Sequence, residues 1–255
     1  MIADVMDIAR RAGEVILSIY QKDFTVEYKD DKSPLTEADK LSNEVIIEGL
    51  RNLTPDIPII SEETKLTDYA IRKDWTQCWL VDPIDGTKEF IKKNGEFTVN
   101  IALIREGEPV LSVLFVPAQD KMYHAEKSKG AFLIENGNET KLSIRQLAAD
   151  GNLKIVGSRS HQTPQLLEYV EQQKQHHPQV EFVAAGSSLK FCLIAEGKAD
   201  VYPRLGPTME WDTAAGQLIA TEAGAQVLVW NTNQPLTYNR ENLLNPDFIV
   251  KNPAL

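Results

Sequence analysis

"WLVDPIDGTKEF", residues 79–90, is the stretch on which the reading of this chain turns. An apolar run with the texture of a buried strand breaks into Asp82, Pro83, Ile84, Asp85, Gly86 and Thr87, so a core element ends in two carboxylates and a hydroxyl within one tight turn. Strand side chains alternate faces, but at a strand's end the chain can turn so that Asp82, the Ile84 carbonyl and Asp85 converge, and Gly86 supplies the backbone freedom this needs. Convergent oxygens suit a hard cation. Magnesium takes near-octahedral oxygen ligands and keeps waters that substrate oxygens displace. Asp, Pro and Gly are also the ordinary material of turns, and the stretch alone reads equally as an Asp-Pro turn with Asp85-Gly86 as turn chemistry.

Two further acidic clusters repeat the arrangement. "PIISEE" is a short apolar strand that ends in Glu62 and Glu63, and "MEWDTAAG" places Asp212 at the start of a helix. Each has a plain alternative: a solvated acidic pair for Glu62 and Glu63, and a helix N-cap for Asp212. Gathered in one cleft without a counter-charge, these carboxylates would raise each other's pKa, and a bound pair of metal ions is the physical resolution.

Outward from these clusters, the chain divides into two textures. Residues 2–20 carry Ile2, Val5, Met6, Ala9, Ala12, Ile16 and Ile19 on one helical stripe, and a second helix is expected from Thr36 to Leu53. Between them "DDKSPLTEAD", residues 30–39, reads as a polar turn; Pro34 disfavours helix at Ser33, and Thr36 with Asp39 resembles a capping box. Runs from Phe97 to Ile134 follow at hairpin intervals and predict antiparallel sheet. After Gly151, strand and helix alternate as α/β layers do, including a helix from about Ser187 and another from Trp211 to Glu222. The expected boundary lies near residue 150: an N-terminal α+β lobe, 1–150, with most of the acidic residues, and a smaller C-terminal α/β lobe, 151–255. A cleft between closely packed lobes is the natural site.

Composition limits the alternatives. The chain has 255 residues and a formal charge of −10, which argues against a sequence-independent grip on nucleic acid. No run of apolar residues is long enough to span a bilayer, and Cys78 and Cys192 each sit in apolar stretches as buried free thiols would, so a cytoplasmic location is expected. The P-loop, dinucleotide and H-E-x-x-H signatures are missing, and four scattered histidines leave no nucleophile–base pair.

"DPIDGTKEF", "SEE", "WDTAAGQLIATEAGA" and "DDKSPLTEAD" together resemble the metal-dependent, lithium-sensitive phosphatase superfamily that includes inositol monophosphatase and fructose 1,6-bisphosphatase. "GTKEF", "NGEFTVNIALI" and "GSSLKFCLIAEGKADVYPR" are similar to the CysQ-type 3'(2'),5'-bisphosphate nucleotidases within it. The resemblance covers nearly the whole chain in the expected order. It implies a five-layer αβαβα sugar-phosphatase-like fold and two or more Mg2+ ions, with Glu62, Asp82 and the Ile84 carbonyl on one and Asp82, Asp85 and Asp212 on the other. Two such ions would activate water and stabilise the leaving oxygen of an in-line displacement.

Further roles follow from the same resemblance. Thr87 with Asp39 is the pair that orients and deprotonates the attacking water, acting with Glu62. Asp39 also remains the capping-box acid, and Lys32 falls near the phosphate or on the surface. Gly86 and Thr87 offer backbone N–H groups to the cleaved phosphate, next to Glu62, Ile84, Asp85 and Asp212. Ser187, Lys190 and Arg204 hold the sugar and the phosphate that is not cleaved, and His161 contacts the nucleotide or is a polar loop histidine. Ser187 and Lys190 are expected on one side of the first turn of a helix.

The implied activity is hydrolysis of adenosine 3',5'-bisphosphate to AMP and phosphate, with 3'-phosphoadenylyl sulfate as a second substrate, clearing a by-product of sulfate assimilation. Peripheral association with the cytoplasmic face of the inner membrane is also implied, and the oligomeric state is left open. Two rival readings stand: an inositol monophosphatase or fructose bisphosphatase activity, which only the second lobe distinguishes, and a non-catalytic nucleotide or cation sensor, which would not need Thr87.

Overall fold

The computed structural model describes residues 1–22, 24–28, 34–147, 151–158 and 163–255. Helix α1 (Ile2–Tyr20) forms where the apolar stripe predicts it, and Val5, Ile8, Ala9, Ala12, Ile16 and Ile19 are all buried. It packs against α2 (Glu37–Leu53), which buries Ala38, Ile46, Ile47 and Leu50 and starts from Thr36. Pro34–Thr36 are strand rather than turn: as β2 they pair antiparallel with β1 (Val26–Tyr28). This short ribbon is made by backbone pairing, and no apolar alternation announces it.

The larger sheet has seven strands in chain order: β3 (Ile59–Ser61), β4 (Gln77–Asp85), β5 (Thr98–Arg105), β6 (Glu108–Val116), β7 (Lys121–Glu126), β8 (Gly130–Glu135) and β9 (Asn138–Lys141). β3 lies parallel to β4, and the remaining pairs are antiparallel, as the hairpin spacing predicts. Two short helices, α3 (Tyr69–Arg72) and α4 (Thr87–Ile91), lie in the connections on either side of β4.

A second sheet of five strands, in the order β11-β10-β12-β14-β13, comprises β10 (Leu153–Gly157), β11 (Val180–Ala184), β12 (Val201–Arg204), β13 (Gln226–Val229) and β14 (Phe248–Lys251). Between them in sequence lie α5 (Pro164–His176), α6 (Leu189–Ala195) and α7 (Glu210–Glu222).

Hydrophobic packing stacks these elements into layers. One cluster joins α1 and α2 to one face of the larger sheet through Trp79, Val81, Val99, Ile101 and Leu103. The opposite face of that sheet, through Leu80, Ala102, Ile104 and Leu114, shares a second cluster with α6, α7 and inward residues of the smaller sheet such as Val156, Tyr202 and Phe248. A third places Tyr169 and Val170 of α5 against Leu153, Ile155 and Val201. The result is an αβαβα sandwich of the α/β class, with α6 and α7 as the middle layer. That layer is tightly closed: a Cβ on Gly216 would lie 2.5 Å from the Phe191 ring. No helix among the described residues is long and apolar enough to cross a membrane.

Candidate active site

Strand β4 delivers the first carboxylates through a change of register. Trp79 and Val81 pack towards α1 and α2, Cys78 and Leu80 towards α6 and α7, so strict alternation puts Asp82 on the α6/α7 face. Continued alternation would send Asp85 to the other face. Instead Asp82 pairs with Asn100 while Asp85 pairs with Thr98, a β-bulge that sets three steps of β4 against two of β5. Ile84 then packs with α1 and α2, and both carboxylates lie on one side. Gly86 follows with φ +94°, a left-handed turn that leads into α4 and brings Thr87 to its start.

The other acids arrive from separate elements. Glu62 follows β3, its N–H donating to the Val81 carbonyl at 3.2 Å. Asp212 sits in the first turn of α7; it is the third helical residue rather than the N-cap, and its Oδ2 accepts from the Met209 N–H at 2.8 Å. One carboxylate oxygen each from Glu62, Asp82 and Asp212 lie within 4.8 Å of one another. Asp85 adjoins them, its Oδ2 held at 2.5 Å by the Ser188 hydroxyl. Asp82 is 1% exposed, and its Oδ1 accepts from the Ile84 N–H at 3.0 Å.

Burial and crowding set the electrostatics. Asp82 is pushed well above the usual carboxylate range by desolvation first, then by the charges of Glu62, Asp85, Asp212 and Asp39. Asp212 is raised in the same way, mainly by burial and then by Asp85. Asp85 is raised by burial and pulled partly back by the Ser188 hydrogen bond. An all-oxygen donor set of this kind, costly to ionise by itself, fits a hard metal ion, and the cluster can hold one.

Asp39, 2% exposed, links Thr36 and Thr87. Oδ2 accepts from the Thr36 N–H at 2.7 Å and the Thr36 hydroxyl at 2.6 Å, which anchors the start of α2; Oδ1 accepts from the Thr87 hydroxyl at 3.3 Å. The Thr87 hydroxyl also lies 3.4 Å from the Ile84 carbonyl.

The second sheet and its helices line the same cavity, about 490 Å³ in volume, which includes Glu62, Asp82, Asp85, Thr87, Asp212, Ser187, Lys190 and Arg204. Ser187 is not helical: its φ of +45° places it in the turn before α6. The expected shared helical turn is therefore replaced by a side-chain contact, in which Lys190 Nζ folds back to the Ser187 carbonyl at 2.5 Å. Lys190 is 5% exposed, and burial lowers its pKa from 10.5 to about 8, with Asp85 opposing and Arg204 reinforcing the shift. Arg204 donates from Nη2 to the Pro207 carbonyl at 2.8 Å, while its buried Nε has no partner among the described residues. His161 and Lys32 lie outside the described residues.

Several cavity residues are missed by sequence reasoning. Ser188 is the main one, and the buried Asn100 behind it, donating from Nδ2 to the Ser188 hydroxyl at 3.0 Å, is missed too: an amide inside an otherwise apolar strand signals a buried partner without naming it. Met209 and Leu244 also line the cavity, and nothing in their local sequence marks them.

Comparison with known proteins agrees with this architecture. The sequence profile of the inositol monophosphatase family matches residues 1–253. The 3'(2'),5'-bisphosphate nucleotidase CysQ of Salmonella typhimurium is 48% identical over 98% of this chain and 99% of that protein, and its Escherichia coli K12 counterpart is 47% identical over the same shares. A crystal structure of CysQ from Bacteroides thetaiotaomicron, described as a bacterial member of the inositol monophosphatase family, superposes with a TM-score of 0.87 at 46% identity, covering 98% of this chain and 96% of that one. On its sequence, its fold and the acids gathered at the end of β4, the chain belongs to the inositol monophosphatase family.

Proposed function

We propose that this chain is a magnesium-dependent phosphatase that hydrolyses the 3'-phosphate of adenosine 3',5'-bisphosphate, giving AMP and phosphate, and acts likewise on 3'-phosphoadenylyl sulfate. The observation that carries the reading is the meeting, in one cavity, of the Glu62, Asp82 and Asp212 carboxylates with the cationic side chains of Lys190 and Arg204. A bisphosphate requires both features, since one phosphate must react and the other must be held. Relatives of nearly the same length at 47% and 48% identity carry the nucleotidase name.

Glu62, Asp82 and the Ile84 carbonyl would hold one Mg2+, and Asp82, Asp85 and Asp212 a second. When bound, these ions make water a nucleophile near neutral pH and neutralise charge on the leaving oxygen. The protein's own contribution is positioning and proton management. The Thr87 hydroxyl donates a hydrogen bond to Asp39 Oδ1, so its lone pairs can orient the attacking water and accept that water's proton as its own proton passes to the Asp39 carboxylate. The two contacts that Thr36 makes to Asp39 Oδ2 keep that carboxylate in place. Gly86 and Thr87 line the cavity, where their backbone N–H groups would meet the cleaved phosphate.

The second phosphate falls to the residues after 150. Lys190 supplies a charge held against the Ser187 carbonyl, and the Nε of Arg204, without a partner among the described residues, is an N–H that suits an anion. In this division of work, residues 1–150 carry most of the metal ligands and residues 151–255 the specificity and the last metal aspartate.

The test is phosphate release from adenosine 3',5'-bisphosphate, inositol 1-phosphate and fructose 1,6-bisphosphate, each with magnesium, with chelator and with added lithium. The nucleotide is expected to be strongly preferred, with turnover lost to chelator and suppressed by lithium. Preference for a sugar or inositol phosphate would remove the roles given to Ser187, Lys190 and Arg204, and no release from any of the three would favour a sensor.

A further inference from the structure

Ser188 occupies the crossing point of the site. Its side chain is 3% exposed, and its hydroxyl oxygen lies 2.5 Å from Asp85 Oδ2, 2.6 Å from the Asp212 carbonyl oxygen and 3.0 Å from Asn100 Nδ2. A hydroxyl has one proton and two lone pairs. The amide Nδ2 can only donate, so Asn100 takes a lone pair and the single proton is left for Asp85 or for the Asp212 carbonyl. A carboxylate is the stronger acceptor, and the proton goes to Asp85. The reverse orientation of Asn100 would set an amide oxygen against a hydroxyl whose proton is already claimed, so the network fixes the amide as well.

The three members come from three elements in two layers. Asn100, 1% exposed, stands opposite Asp82 in the larger sheet; Asp85 belongs to the bulge of β4; and Ser188 caps α6 in the middle layer. We infer that Ser188, seated by Asn100, is a positioning residue that fixes the Asp85 carboxylate for the metal and ties the metal ligands to the 186–190 turn. The inference rests on the metal ligation proposed above. With Oδ2 committed to Ser188, Asp85 presents Oδ1 to a cation in one orientation. The adjoining Ser187 carbonyl accepts from Lys190 Nζ, so the same turn sets the metal ligand and the lysine assigned to the uncleaved phosphate.

The experiment is calorimetric titration of Mg2+ into chelator-treated protein for wild type, Ser188→Ala, Ser188→Thr, Asn100→Ser and Asp85→Asn. Loss of a residue that orients a ligand typically costs about 10- to 100-fold in metal affinity, and Ser188→Ala is expected in that range. Asn100→Ser should shift affinity in the same direction by a smaller factor, and Ser188→Thr, which keeps the hydroxyl, should stay near wild type. In turnover assays the Mg2+ concentration for half-activation should rise by the calorimetric factor in Ser188→Ala, with kcat largely recovered at saturating Mg2+. Wild-type affinity in Ser188→Ala beside weakened binding in Asp85→Asn would overturn the role of Ser188. So would a fall in kcat with unchanged Mg2+ affinity, which would mark the residue as merely structural. Undiminished binding in Asp85→Asn would remove the metal reading, and the inference with it. Should Ser188→Ala not fold, Asn100→Ser is judged by the same criteria.

Discussion

Asp82 is buried among other carboxylates, and burial and its neighbours both oppose its charge. Its folded pKa is raised, so in metal-free protein its contribution to stability is present below the ordinary carboxylate range and is lost as pH rises through the folded value. A bound cation reverses this. The difference in Tm between magnesium-saturated and chelated protein should therefore widen from about pH 5 to about pH 8; a constant difference would argue against ligation by these groups. For the same reason Asp82→Asn should abolish turnover yet stabilise the chelated protein by about 1–3 kcal/mol at neutral pH, measured by denaturant melts. Lys190 has the opposite sign: its pKa is lowered to about 8, so the free site loses this positive charge as pH passes that value. kcat/KM for the bisphosphate should fall above about pH 8, and Lys190→Ala should lose more activity on the bisphosphate than on a sugar monophosphate. At this scale the acids were legible because motif and spacing repeat at three strand or helix ends. Ser188 was not, since a second serine in "GSSLKF" carries no mark of the carboxylate above it.

Among the elements, β4 was visible as an apolar run, but its bulge was not. A bulge is a matter of pairing, and "VDPID" reads the same with or without the extra residue opposite β5. β14 was missed for a related reason: "FIVK" is four residues long and becomes a strand by antiparallel pairing with β12 and β13. Helices α1 and α2 were plain because their stripes extend over many turns. α7 is buried nearly all round, and its small residues answer to that crowding. Gly216→Ala would place a methyl 2.5 Å from Phe191; overpacking of this kind costs about 1–3 kcal/mol. Thermal melts should show the loss.

At the level of the whole molecule, one hydrophobic cluster runs from the larger sheet through α6 and α7 into the smaller sheet. Heat or denaturant should accordingly unfold both sheets in a single transition, followed by calorimetry and circular dichroism; two separated transitions would show that the middle layer is not a shared core. The formal charge of −10 gives an anionic substrate no general attraction, so association should depend on divalent cation far more than on the protein's overall field. The αβαβα layer order was legible only through the family resemblance and not through residue patterning, because nothing in α6 or α7 themselves says that they face two sheets. That sandwiching bears on how the chain could be divided. A fragment ending near residue 147 would bare Leu80, Ala102, Ile104 and Leu114, and its counterpart would bare the inner sides of α6 and α7. Neither half should be obtained soluble alone, whereas the two expressed together should reassemble, with regained turnover as the reporter of their encounter.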